Sequence, residues 1–139
     1  MAGDERKFKL AWRLDEPVLE YVMWGYWSTA DALAWKAAVS SELMRRPFSG
    51  VWYMCGDLSA LKTQPDGVND VRDDVIRLAL SSGLAGCVMY GTSGVPLLQL
   101  RRLQGAAGRA DQFIYVASSI DAEQQLRRWI ASGPVGLRE

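Results

Sequence analysis

Three short, almost unbroken apolar runs constrain this chain most: "GVWYMCGD" at 50–57, "AGCVMYG" at 85–91 and "QFIYVA" at 112–117. A strand with one face in water alternates apolar and polar residues, whereas a strand covered on both faces reads as continuous apolar sequence. Between and after these runs the apolar residues change period. Ala32, Trp35, Val39 and Leu43 recur at helical spacing, as do Val68, Val71, Val75 and Leu78, and then Ala122, Leu126, Trp129 and Ile130. Doubly covered strands alternating with amphipathic helices predict a largely parallel sheet with helices packed on it.

The remaining elements extend this pattern. "KFKLAWRL" (7–14) alternates charged and apolar residues, the period of a half-buried strand, and "VLEYVMWG" (18–25) is a second strand behind the turn "LDEP". Ser28 or Thr29, with Asp31 following, is a helix start of the capping-box type, and that helix runs out before Pro47. The other face of the second helix, "ND…RDD…R", is expected to meet water, and Gly83 suits its end. Thr92 or Ser93 caps a third helix with Pro96 in its first turn, and Ser118 or Ser119 caps the last.

The order is β-β-α-β-α-β-α-β-α. It predicts an α/β fold: a single-domain mixed, largely parallel β-sheet of about five strands packed with about four helices. At 139 residues the chain reads as one domain over 1–139, because halves would be too small to bury a useful core. Residues 132–139 are expected to form a loose tail.

Composition narrows the chemistry. Sixteen Lys and Arg balance sixteen Asp and Glu, so no net field draws the chain to nucleic acid or an anionic membrane. No apolar run is long enough to span a bilayer and no signal region opens the chain, which makes stable membrane insertion unexpected and the cytoplasm the expected compartment. Histidine is absent, which removes Ser-His and Cys-His nucleophilic systems and most zinc sites. Cys55 and Cys87 lie in different apolar runs and read as free buried thiols. No metal or cofactor is expected, and acid–base work would fall to carboxylates, Lys, Tyr or Cys.

Three places invite a site. "GTSGVP" (91–96), with Thr92 and Ser93, stands at a strand-to-helix turn where free N–H groups suit an anion. Val95 replaces the last glycine of a hydrolase elbow, and no lysine completes a P-loop, so capping is the plainer reading. The carboxylates Asp66, Asp70, Asp73 and Asp74 are interspersed with Arg72 and Arg77, which favours a solvated helix start over a metal site. Finally, "WGYW" (24–27) puts Trp24 and Trp27 at a strand end and in the following turn. Core packing is the default for a tryptophan, but of the six these two could stay partly exposed and contact a partner or line a pocket.

Taken in order, these features resemble the STAS family, the sulphate-transporter and anti-sigma-antagonist domain, from about Val18 to Ile130. The resemblance is carried by the strand ending in Gly25, the apolar strand leading to "DLSAL" (57–61), "GLAGCVMYG" (83–91) and the close "FIYVASSIDAEQQLRRWI" (113–130). In that family Asp-Leu-Ser ends a central strand. An Asp-Ser-Ser-Gly group then starts the next helix, and one serine takes phosphate from a partner kinase. Phosphate charge at the helix start disrupts docking. Here the corresponding stretch is "KTQPDGVND" (62–70). Gly67 takes the motif's glycine, Asp66 the acceptor's place, and Gln64-Pro65 replace the preceding aspartate.

The resemblance implies a non-enzymatic regulatory module of the anti-sigma-antagonist type, docking an anti-sigma or kinase-like protein, or itself. The expected contact edge is the 57–67 loop with Asp57, Ser59 and Asp66, together with Thr92 and Ser93. An exposed strand edge at 7–14 could pair two copies. The alternative is a carrier, because related folds resemble lipid-carrier domains and a Trp- and Met-containing interior could hold a small apolar molecule.

Overall fold

The structure, a computed structural model, describes residues 6–92, 97–99, 102 and 112–132. Its strands are β1 (Phe8–Trp12), β2 (Val18–Gly25), β3 (Trp52–Leu61), β4 (Leu84–Tyr90) and β5 (Phe113–Val116). The helices are α1 (Thr29–Met44), α2 (Asp66–Ser81), α3, described at 97–99 and 102, and α4 (Ser119–Ser132). The sheet runs β1-β2-β3-β4-β5 in chain order. β1 is antiparallel to β2, and every other pair is parallel.

The first two apolar runs are doubly covered, whereas in the third, β5, Phe113 is buried and Ile114, Tyr115 and Val116 are only half-buried. Along β3, Trp52, Met54 and Leu58 join a core with Trp35 and Val39 of α1 and Val68, Val75 and Ala79 of α2. Tyr53 and Cys55 point the other way, with Ala85 and Val88, to meet Ala122, Leu126 and Trp129 of α4. Period-two alternation thus divides one strand between two helical layers. The Tyr53 ring stacks on Trp129 at 5.8 Å, and its hydroxyl donates to the Trp129 carbonyl at 3.2 Å.

Local chemistry at the helix starts follows the sequence. Ser28 and Asp31 form a reciprocal capping box on α1. At α4 the Asp121 N–H donates to the Ser118 hydroxyl at 3.2 Å. Burial of the Asp31 carboxyl pushes its pKa up, but hydrogen bonds from Ser28 and the neighbouring Lys7 outweigh that and hold it below the usual carboxylate range.

Several expectations are corrected. β3 does not end at Asp57 but continues to Leu61, because β2 goes on offering partners to Ala60 and Leu61 after an irregularity at Val22/Trp24. Arg72, placed on the wet face of α2, is 6 % exposed. It lies four residues after Val68 and three before Val75, and that row faces the sheet. Ile130 stays 38 % exposed, at the edge of the α4 stripe. Ser132 belongs to α4 and not to a tail, while the rest of that expected tail, 133–139, lies outside the described residues.

A candidate docking edge at the carboxyl ends of the parallel strands

Parallel strands ending together leave their following loops along one edge, the usual place for ligands and partners in α/β folds. Here β2 ends at Gly25, β3 at Leu61 and β4 at Tyr90. The turns that follow are held by Gln64, which the sequence marks only as a replacement for the family motif's aspartate. Gln64 is 2 % exposed. Its amide nitrogen donates to the carbonyls of Gly25 (2.9 Å) and Lys62 (2.7 Å), and its amide oxygen accepts the Trp27 N–H at 2.8 Å. The Gln64 backbone is gripped in turn by Gln99 of α3, which accepts from its N–H and donates to its carbonyl, both at 2.8 Å. One amide therefore joins the β2–α1 turn, the β3–α2 loop and α3.

On this frame the expected site residues separate into two groups. Asp57 and Ser59 are strand residues, and the Ser59 N–H donates to Asp57 Oδ1 at 3.0 Å while its hydroxyl donates to the same oxygen. Gly91 lies against them. Its φ of 87° suits glycine, and a Cβ there would sit 2.4 Å from the Ser59 hydroxyl oxygen. Thr92 follows directly, with its hydroxyl oxygen buried and without a hydrogen-bond partner. Ser93 lies outside the described residues.

Asp66 stands apart from that group. It is exposed, it opens α2, and the residue before it, Pro65, supplies no side-chain cap. Its neighbour Gly67 faces the Thr29 side chain, so the start of α2 lies beside the start of α1.

The aromatic pair also divides. Trp24 is half-buried at the end of β2 and keeps some surface. Trp27 is 3 % exposed, because its ring packs on Phe8 and Trp35 and its indole N–H donates to the Trp24 carbonyl at 2.9 Å. The exposed aromatic of "WGYW" is Tyr26, at 64 %. An alternating strand end followed by an extended turn left no period from which to read this.

The electrostatics are those of a surface without an activated nucleophile among the described thiols. Burial pushes the Cys55 thiol up to about 11 and the Cys87 thiol to about 12, so both stay protonated at neutral pH. Burial also raises the Tyr90 phenol, with the nearby Asp57 carboxylate adding to the effect. What the edge presents to solvent is Ser59, Ala60, Lys62, Pro65, Asp66 and Gly67, over a buried Leu61 and Gln64.

Solved structures share this architecture. RsbS of Moorella thermoacetica, in a serine-to-glutamate variant, superposes with a TM-score of 0.64 at 14% identity over 90% of this chain and 98% of that one. The anti-sigma factor antagonist SpoIIAA in its unphosphorylated form gives 0.60 at 11% identity, over 87% and 96%. An anti-sigma factor antagonist from Mycobacterium paratuberculosis gives 0.53 at 17% identity, over 86% and 94%.

The fold is STAS-like.

No family model matches the chain, and no curated protein does. The STAS-like likeness spans nearly the whole of each of these solved chains. Among the described residues no helix is long and apolar enough to cross a membrane.

Proposed function

We propose that the chain is a non-enzymatic regulatory module that docks a protein partner through the carboxyl edge of its parallel strands. The observation that carries this reading is the exposed Asp66 at the start of α2, on a loop that Gln64 holds in place. Several of the structures that share the fold are anti-sigma factor antagonists, and one of these, SpoIIAA, is also solved in a phosphorylated form. In the present chain a carboxylate occupies the place that the resemblance gives to the phosphate-accepting serine. It would supply fixed negative charge at a helix start, where such charge favours the dipole. Added phosphate disrupts docking in the family, so the partner here would be one that accepts this permanent charge, and docking would not be switched by phosphorylation at that position. Two buried free thiols, Cys55 and Cys87, suit the reducing cytoplasm as its place of work.

The carrier reading fares worse. The apolar cavity between α2 and the sheet measures about 50 Å³, whereas pockets for drug-sized ligands run from about 300 to 1,000 Å³. A lipid would not fit inside that core without displacing side chains, and the roomier groove of about 780 Å³ between β1 and α1 is rimmed by Arg6, Lys9, Glu42 and Arg45, which suits an apolar cargo poorly.

The test is native mass spectrometry of the protein purified gently from its own cells, beside an Asp66→Arg variant. The expected result is a stoichiometric second polypeptide on the wild type that is reduced at least several-fold on the variant, with an unphosphorylated 57–67 segment. A complex indifferent to Asp66→Arg, or a phosphorylated hydroxyl in that segment, would overturn the reading.

A further inference from the structure

α2 carries a charge into the core. Arg72 faces inward with Val68, Val75 and Ala79. A guanidinium offers five N–H donors. Among the described residues this one makes a single hydrogen bond, from Nη1 to Asn69 Oδ1 at 3.3 Å, and no carboxylate pairs with it. Burial pulls its pKa down to about 10, the response of a cation short of a counter-charge.

Arg72 lines the cavity of about 50 Å³ between α2 and the sheet. The other walls are apolar or aromatic, among them Trp35, Met54, Leu58, Met89 and Phe113. Two further polar groups reach the cavity, the Tyr21 hydroxyl and the Cys87 thiol, and these two lie 3.5 Å apart and satisfy one another. Arg72 is thus the polar group left over in an apolar chamber. A buried charge without a partner costs several kcal/mol, and folds keep such groups where a ligand supplies the missing charge.

We propose that this cavity is a binding site for a small monocarboxylate, with the Arg72 guanidinium taking both carboxylate oxygens and the Met and aromatic walls taking a short alkyl tail. The chemistry selects that class. A planar guanidinium matches two carboxylate oxygens side by side. A phosphate or sulfate would bring more oxygens and more charge than one cation among apolar walls can satisfy. Size sets the other limit. At about 10–15 Å³ for each water-sized group, the chamber holds roughly four or five heavy atoms, the size of acetate or propionate. The proposal is independent of the docking edge, and each stands if the other falls.

The experiment titrates sodium propionate, at constant ionic strength, into protein labelled with carbon-13 at its methionine methyls. Expected are saturable shifts of the Met54 and Met89 methyl signals, accompanied by a rise in Tm. Arg72→Met should weaken binding by at least about tenfold while unfolding as cooperatively as the wild type, because apolar residues commonly replace buried ions without loss. n-Propanol, nearly the same size but neutral, should bind the wild type at least about tenfold more weakly than propionate. Propionate shifts that do not saturate, equal affinity for propanol, or an Arg72→Met variant that folds and binds propionate unchanged would each overturn the proposal.

Discussion

Gln64 does for this edge what a helix or a strand does elsewhere: it satisfies the Trp27 N–H and the Lys62 carbonyl, and gives the Gly25 carbonyl a second donor beside the Lys62 N–H at 3.3 Å. Its side chain serves the Gly25 and Lys62 carbonyls and the Trp27 N–H at once. Leaving a buried backbone group unpaired costs about 1–3 kcal/mol, and truncation exposes at least two such groups. Gln64→Ala should therefore destabilise the fold by roughly 2–4 kcal/mol, seen as a lower urea midpoint with an unchanged m-value. Gln64→Glu should recover little, because a carboxylate cannot donate to the two carbonyls. A midpoint shift within about 0.5 kcal/mol of wild type would mean that Gln99 and the rest of the network hold the loop alone. The sequence marks this residue only as a departure from the family motif, not as a structural hub. A glutamine before a proline carries no period, and the partners that give it meaning lie 35 to 39 positions away in the chain.

Among the elements, those with a strong period were the legible ones. The apolar runs became β3, β4 and β5, the inward rows of α1 and α4 fell close to where the spacing put them, and the Ser28 and Ser118 starts follow from local chemistry. Two readings went astray for one reason: residue type was weighed over position. Arg72 was counted as solvated because it is charged, although it stands in the row of Val68, Val75 and Ala79. β3 was cut at Asp57 because polarity begins there, although pairing with β2 continues to Leu61. The packing of α4 on β4 rests on a feature the sequence did not single out either. A Cβ at Gly86 would lie 2.8–2.9 Å from three ring carbons of Trp129, so glycine is what lets that ring lie flat on the strand. Gly86→Ala should push α4 outward and cost about 1–3 kcal/mol, the usual penalty of overpacking. A paired Trp129→Leu change should restore part of the loss by making room for the methyl. If Gly86→Ala alone leaves both the melting curve and Trp129 fluorescence unchanged, α4 is less closely seated than the structure indicates.

At the scale of the molecule, the three layers do not cover the sheet evenly. α4 packs on β3, β4 and β5, which leaves the same face of the β1–β2 hairpin bare: Lys9, Ala11, Glu20 and Val22 are exposed. β1 is also an edge strand whose outer side has no partner among the described residues. An open edge beside a bare face is a template for pairing with a second chain, and the two-copy arrangement anticipated from residues 7–14 would use it. Two features work against that pairing. β1 is only five residues long, and Lys9, its second residue, stands cross-strand from Val22. Two such edges brought together in antiparallel register would place lysine near lysine, and short, lysine-bearing edges are a common defence against association. Arg13 adds a second restraint by binding Glu16 and Glu20 of its own hairpin and Glu123 of α4, which fixes the hairpin against its own domain. The expectation is a monomer at micromolar concentration by sedimentation. Lys9→Val removes the charge and joins Ala11 and Val22 into one apolar strip, so it should shift the protein toward a dimer without lowering its stability. A wild-type dimer unaffected by that change would place the self-contact elsewhere, and a dimer broken by it would make Lys9 a contact and not a guard.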